Sequence, residues 1–178
     1  MLGGFKCRGM GGSNPPTSLF GKGVFVGFVL ELRGVCKSYG GFRVLRGIDF
    51  GVGRGEFVVV RGRSGVGKTT LLNAISMLIH PDAKIITIEE SRELRLPHEN
   101  WVPLVTRPAL QEGMEEITLF DLLKSAMRQR PDYVVVGEIR GEEAYTFFQA
   151  IATGHSGLCS IHADSIEAAI KRLITKPM

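Results

Sequence analysis

The chain has 178 residues, 44% of them hydrophobic and 22% charged, which is enough for one α/β core and excludes both a disordered segment and a membrane bundle. Its net charge of +4 is mild and interspersed in sign, whereas a nucleic-acid binder concentrates its basic residues on one face, so no nucleic acid is expected as a partner. Cys7, Cys36 and Cys159 are odd in number, far apart and without paired CxxC spacing, which excludes a zinc or redox centre and fits the reduced thiols of a cytoplasmic protein.

Residues 1–28 are rich in Gly, Ser and Pro, as in Gly11-Gly12-Ser13-Asn14-Pro15-Pro16, and read as a loose leader. The apolar stretch from Leu19 to Leu30 is broken by Lys22 and three glycines, so it falls short of the about 20 apolar residues that span a bilayer. It also lacks the small-residue cleavage site of a secretory signal. A peripheral position at a membrane stays compatible with these features.

From Val29 the chain becomes organised. Val29–Arg33 and Phe42–Leu45 read as short strands, and Glu56–Arg61 is a β-branched run ending at a glycine-rich turn. Thr69–Ile79 carries apolar residues at Leu71, Leu72, Ile75, Leu78 and Ile79, the spacing of a helix with one buried face. Downstream, Lys84–Ile88, Tyr133–Val136 and Leu158–Ile161 read as strands, and Leu119–Gln129, Glu142–Thr153 and Ile166–Ile174 as helices. Thr118 with Asp121, and Asp164 with Glu167, have the spacing of capping boxes, and Gly154 is placed to stop a helix. Such alternation, with nearly apolar strands, predicts a mostly parallel sheet covered on both faces.

Between the predicted strand Glu56–Arg61 and the helix that follows lies Gly62-Arg63-Ser64-Gly65-Val66-Gly67-Lys68-Thr69, a match to G-x-x-x-x-G-K-[ST]. Its glycines let backbone N–H groups turn inward around phosphate oxygens. Lys68 would reach the β and γ phosphates of ATP, the Thr69 hydroxyl would ligate Mg²⁺, and the helix through Thr70 would point its positive end at the same anion. The alternative is a glycine-rich turn with a surface lysine. The strand–loop–helix context favours the phosphate loop, the one setting in which the mechanism works.

Glu138 follows the apolar run Tyr133-Val134-Val135-Val136-Gly137, so it is expected at the carboxyl edge of the sheet, where ligands of such sheets bind. There it would hold the Mg²⁺ shell or orient the attacking water. The alternative is a solvated glutamate opening the next helix. Glu89 and Glu90 end another strand and point to opposite faces, so one of them at most faces the metal. Arg128, Arg130 and Arg140 flank the Glu138 strand, as phosphate-contacting arginines or as surface ion pairs. His155 and His162 bracket the last strand, as γ-phosphate sensors or as structural histidines.

From Asp82 onward the chain resembles the ATPase family of type II secretion, type IV pili and archaeal flagella, and is most like its archaeal branch. The resemblance rests on Lys84-Ile85-Ile86-Thr87-Ile88-Glu89-Glu90, Leu96-Pro97-His98-Glu99-Asn100-Trp101, Arg128-Gln129-Arg130-Pro131-Asp132-Tyr133, Val136-Gly137-Glu138-Ile139-Arg140-Gly141-Glu142-Glu143-Ala144, Ala152-Thr153-Gly154-His155 and Ser160-Ile161-His162-Ala163-Asp164-Ser165. It implies a RecA-like P-loop NTPase core over 62–178. Glu89-Glu90 then stands for the Asp box, with Glu90 assisting metal or water, Glu138 is the Walker B carboxylate, and His155 to His162 is the His box. Arg107 and Arg128 fall where nucleotide-contacting arginines lie. Such enzymes work as hexamers at the cytoplasmic base of a membrane machine, so the resemblance implies other copies of the chain, or a full-length secretion ATPase, and a membrane platform protein as partners.

The start of the chain reads differently. Leu30-Glu31-Leu32-Arg33-Gly34-Val35-Cys36-Lys37-Ser38-Tyr39-Gly40-Gly41, Val44-Leu45-Arg46-Gly47-Ile48 and Gly55-Glu56-Phe57-Val58-Val59-Val60 resemble the opening of an ABC transporter ATPase. That family stacks adenine on an aromatic at the position of Tyr39. The resemblance stops near Leu72: no LSGGQ-like signature follows, and Glu138 lies 70 residues after Lys68, too close for the helical subdomain an ABC ATPase inserts. The expectation is therefore an ABC-like β segment over 29–61 joined to a secretion-ATPase core. An ABC ATPase fragment and an inactive nucleotide-binding remnant are the other readings.

Overall fold

The computed structural model describes residues 28–53, 55–56, 58–60, 62, 65–109, 114–140, 143–161, 165 and 167–168. Two compact units divide the chain, Met1–Leu71 and Leu72–Met178.

In the first unit, β1 (Phe28–Tyr39) and β2 (Phe42–Gly53) pair as an antiparallel hairpin. Each has 12 residues, well beyond the short runs that alternation marks. Register shifts between Leu32 and Val35 and again around Cys36 and Ser38 carry the ladder past residues that break the period-two pattern. Gly34, at φ 58°, sits at the first of these and donates its N–H to Asp49 Oδ1 at 2.7 Å. Gly40 at φ 57° turns the chain, as the first residue of a two-residue hairpin turn of type II′ must. Leu32, Val35 and Leu45 are buried.

The expected strand over Glu56–Arg61 does not form at its described residues. Val58, Val59 and Val60 carry no strand and are 37%, 69% and 46% exposed. A β-branched run becomes a strand only where a neighbouring strand and a covering layer receive it, and no described ladder includes these valines. The helix α1 (Lys68–Ser76) follows, with its first turn in the first unit and the remainder in the second. Leu78, expected on its apolar face, lies past its end and is exposed.

The second unit contains β3 (Ile85–Glu89), β4 (Trp101–Val105), α2 (Leu119–Met127), β5 (Tyr133–Ile139), α3 (Glu143–Ala152) and β6 (Ser156–Ile161). Its four strands are parallel in the order β4-β3-β5-β6. Because side chains alternate along a strand, the two faces collect different partners. Ile86, Ile88, Val134 and Val136 pack with Leu123 and Ala126 of α2 and Ala144 and Phe147 of α3. Ile85 and Val135 pack on the other face with Leu72, Ile79, Ala83, Leu94 and Leu96. Thr87, fully buried, accepts the Trp101 Nε1–H at 3.0 Å. The doubly covered parallel sheet is the one expected.

β4 is absent from the sequence-based reading because Pro103 interrupts its apolar run. Proline lacks a ladder donor and is tolerated at a sheet edge, and β4 is an edge strand with Pro103 opposite Thr87. Helix termini follow their signals closely. Thr118 caps α2 in a complete box with Asp121. After α3, Gly154 adopts φ 102°, its N–H bonds Ile151 O at 3.0 Å, and the His155 N–H bonds Ala150 O at 3.2 Å, the pair that defines a Schellman stop. Asp164 lies outside the described residues. Ser165 Oγ accepts the Ala168 N–H at 3.0 Å, and of the helix expected over Ile166–Ile174 only Glu167 and Ala168 are described, both helical.

The direction of the crossovers positions the site. The segment from β3 to β4 passes on the face of Leu94 and Leu96, whereas α2 and α3 carry the chain to β5 and β6 on the opposite face. A right-handed connection that changes face also changes direction. The connection leaving β3 and the connection leaving β5 therefore part company at their carboxyl ends, the usual ligand position in an open parallel sheet.

Candidate functional site

In the first unit the phosphate-loop glycines are needed where they stand. A Cβ on Gly62 would lie 2.7 Å from Val66 Cγ2, and one on Gly67 would collide with Val44 Cγ1. Gly65 and Gly67 adopt φ 77° and 99°, which L side chains rarely accept. The first α-helical bond of α1 runs from the Leu71 N–H to Gly67 O at 2.9 Å, so the amides of Lys68, Thr69 and Thr70 form the turn whose donors face out of a helix start. Lys68 Nζ donates to Gly62 O at 3.0 Å, drawing the cation over the loop. Arg63 and Ser64 lie outside the described residues. Tyr39, at the hairpin tip, is 56% exposed with Lys37 Nζ 5.1 Å from its ring centroid.

In the second unit, the carboxyl ends of β3 and β5 bring Glu90, Glu138 and Arg140 together. One guanidinium nitrogen of Arg140 donates to Glu138 Oε2 at 2.6 Å, and the other lies 3.0 to 3.1 Å from the two Glu90 oxygens. The bond to Glu138, then the charges of Glu138 and Glu90, raise the Arg140 pKa above its ordinary value, so the guanidinium is a permanent cation between two carboxylates. The backbone at Arg140 is held separately, its N–H donated to Glu143 Oε1. Between Val136 and Ile139 the register of β5 with β6 shifts, a bulge of the kind that re-aims side chains beside functional sites. The Gly137 carbonyl there accepts the Ser160 hydroxyl.

Glu89 is the last residue of β3 and Glu90 the first beyond it, and their carboxylates have different partners. The Glu89 side chain is buried at 3% exposure, its Oε1 accepts the N–H groups of Glu93 and Leu94, each at 3.0 Å, and its Oε2 is enclosed with no hydrogen-bond partner among the described residues. It lies against Gly137, where a Cβ would meet Glu89 Cγ at 3.1 Å. Sequence reasoning missed the anchoring of Glu89, the packing glycine at 137 and the Glu143 tether. Only the adjacency of Gly137 to Glu138 signalled any of them.

The remaining expected residues scatter. Arg107 lies just past the carboxyl end of β4, pinned by two backbone bonds to Ile117, and its guanidinium donates to Glu115 O at 3.4 Å. Arg128 is the exposed C-cap of α2 and precedes β5, so it sits at the opposite edge of the sheet. His155 precedes β6 at that same edge, its Nδ1 within 3.2 Å of Ala150 O. A six-residue strand, about 20 Å long at roughly 3.3 Å per residue, separates His155 from the carboxyl edge. The structure does not bring Arg128 or His155 to the carboxylates, and His162 lies outside the described residues. Burial pushes the Cys159 thiol up to about 12, so it stays neutral and serves as packing.

These groups fit Mg-nucleotide chemistry. Two hard oxygen donors already share a cation, and Mg²⁺ takes one or two carboxylates, completing its shell with phosphate oxygens and water. No cluster of three or more His, Cys, Asp or Glu occurs among the described residues. No helix there is long and apolar enough to cross a membrane.

Comparison with known proteins bears on the same region. The family model described as "Type II/IV secretion system protein" matches residues 52–176, so β1 and nearly all of β2 precede the match. An uncharacterized protein of Methanocaldococcus jannaschii, MJ1287, is 55% identical over 121 residues, covering 68% of this chain and 45% of that protein. The type IV secretion system protein PtlH of Bordetella pertussis is 42% identical over 121 residues, covering 67% of this chain and 36% of that protein. The chain thus spans less than half the length of either relative. Among solved structures, the VirB11 ATPase of the Brucella suis type IV secretion system aligns with a TM-score of 0.53 at 40% identity, over 62% of this chain and 32% of that one. The fold is accordingly that of a P-loop NTPase, with a parallel sheet and a short antiparallel hairpin ahead of it.

Proposed function

Since the chain belongs to the type II/IV secretion system protein family, we propose that it binds Mg-ATP through its phosphate loop and acts as part of a motor ATPase driving protein secretion or filament assembly. The observation that carries this reading is the phosphate loop itself, with three sterically required glycines and Lys68 drawn over Gly62 at the start of α1. Lys68 contributes charge to the β and γ phosphates, the helix-start amides through Thr70 bind phosphate oxygens, and the Thr69 hydroxyl is suited to ligate Mg²⁺; the Glu138 carboxylate is likewise suited to Mg²⁺. When bound, the metal neutralises phosphate charge. Glu138 also orients the attacking water and takes up its proton, with Glu90 assisting.

Arg107 and Arg140, on the carboxyl edge, are the arginines suited to the developing charge. Arg128 and His155, on the opposite edge, would act only on a neighbouring copy, and His162 is proposed as the γ-phosphate sensor. The working form is then a ring of copies, cytoplasmic and peripheral at the inner face of the membrane, engaging a platform protein. A second reading is confined to the first unit. The hairpin lies ahead of the family match and offers an exposed Tyr39, which favours adenine stacking of the ABC type. After α1 the described elements run β3, β4, α2, β5, α3 and β6, with only the nine-residue α2 between β4 and β5 among the described residues, which favours the secretion class over an ABC fragment.

Calorimetry of ATP binding tests the proposal. Lys68→Ala removes charge-assisted contacts worth roughly 1.5 to 3 kcal/mol and should weaken ATP about tenfold or more. Glu138→Gln should keep binding and lose hydrolysis. Unchanged affinity in the Lys68 variant would sink the assignment.

A further inference from the structure

We propose that Arg140 is a resident cation that holds Glu90 and Glu138 until a divalent metal displaces it, so that the metal must compete with a side chain for its carboxylates. The inference rests on the proposed function for the identity of the incoming ion. Its basis is the geometry of one guanidinium, bonded to Glu138 at 2.6 Å and to Glu90 at 3.0 Å, where two adjacent strands send their connections to opposite faces of the sheet.

Three features make this arrangement exchangeable. The side chains of Arg140, Glu90 and Glu138 are 55%, 48% and 29% exposed, and ion pairs at such exposure are weak and readily screened. Glu89, one residue away, is the opposite case, buried and held by two amides. The Arg140 backbone is tied to Glu143 through its own N–H, so the guanidinium can swing out while the chain entering α3 stays fixed. A divalent ion between the same carboxylates replaces a delocalised single charge with a compact double one, which wins electrostatically once phosphate oxygens complete its shell.

The test uses Mn²⁺ as probe on the full chain without nucleotide, with free Mn²⁺ measured by electron paramagnetic resonance. Arg140→Ala should bind Mn²⁺ about three- to tenfold more tightly than the unaltered chain, since it removes a competitor of exposed ion-pair strength. Arg140→Lys, which keeps the charge and reaches only one carboxylate, should fall between them. The gain should vanish in Arg140→Ala combined with Glu90→Gln. Equal affinity in all three chains, no Mn²⁺ binding by any of them, or a gain that survives Glu90→Gln would overturn the proposal. Loss of ATP binding is read separately through Lys68, so failure of the nucleotide assignment and failure of this inference give different results.

Discussion

At Gly157, α3 lies so close to β6 that a Cβ would sit 2.8 Å from Phe147 Cζ and 3.0 Å from two carbons of Ile151. Phe147 is almost fully buried and cannot yield without disturbing the cluster it shares with Val134 and Val136. Gly157→Ala should therefore destabilise the fold by about 1 to 3 kcal/mol, the usual cost of overpacking. Urea denaturation reads this directly, and a loss below about 0.5 kcal/mol, the range of an ordinary surface substitution, would show that the contact relaxes. Gly137 belongs to the same class, since the room it leaves is filled by the Glu89 side chain. In both places a missing side chain decides how closely a functional element approaches its neighbour.

At the scale of elements, α2 depends on its first turn. Thr118 Oγ1 donates to Asp121 Oδ2 at 2.6 Å and accepts the Asp121 N–H at 3.2 Å, while the Thr118 N–H donates to the same carboxylate at 3.1 Å. The Thr118 hydroxyl first, and its N–H second, lower the Asp121 pKa. A carboxylate depressed in the folded state stabilises above its unfolded pKa of about 3.9, and that contribution is lost as pH falls through the lower folded value. Thr118→Ala should lower the thermal midpoint at neutral pH and move the Asp121 titration, followed by carbon NMR, back toward the ordinary carboxylate range. An unmoved titration would mean that the box does not persist in solution. This cap was legible because a box has fixed spacing, and β3, β5, α2 and α3 were legible because apolar period and length agree in each. β4 was hidden by Pro103, whose tolerance at an edge depends on strand order that no local pattern encodes. The valines at 58–60 misled for the converse reason, since composition cannot supply a neighbouring strand. Glu138 was readable as a residue at the end of a strand. Its union with Glu90 through Arg140 was not, because it requires β3 and β5 to be neighbours across the 43 residues between Glu89 and Tyr133.

For the whole molecule, the matched span covers 45% and 36% of two relatives, and assembly is the property most exposed to that difference. If an arginine such as Arg107 acts across a subunit boundary, the rate contribution of roughly 10³ to 10⁵ that such a residue makes in phosphoryl transfer is available only in the assembled form. Hydrolysis per chain should then rise with protein concentration, in step with oligomeric mass from light scattering on the same samples. Vigorous, concentration-independent turnover by a monomer would show that one chain holds a complete site. Any such assembly must also avoid associating in the wrong way, and here Pro103 has a further effect. A bare sheet edge is a template on which a foreign strand can grow. With an imide ring in the middle of its five residues, β4 lacks one link that such growth would need, so along that border the described sheet is a poorer seed for fibrils.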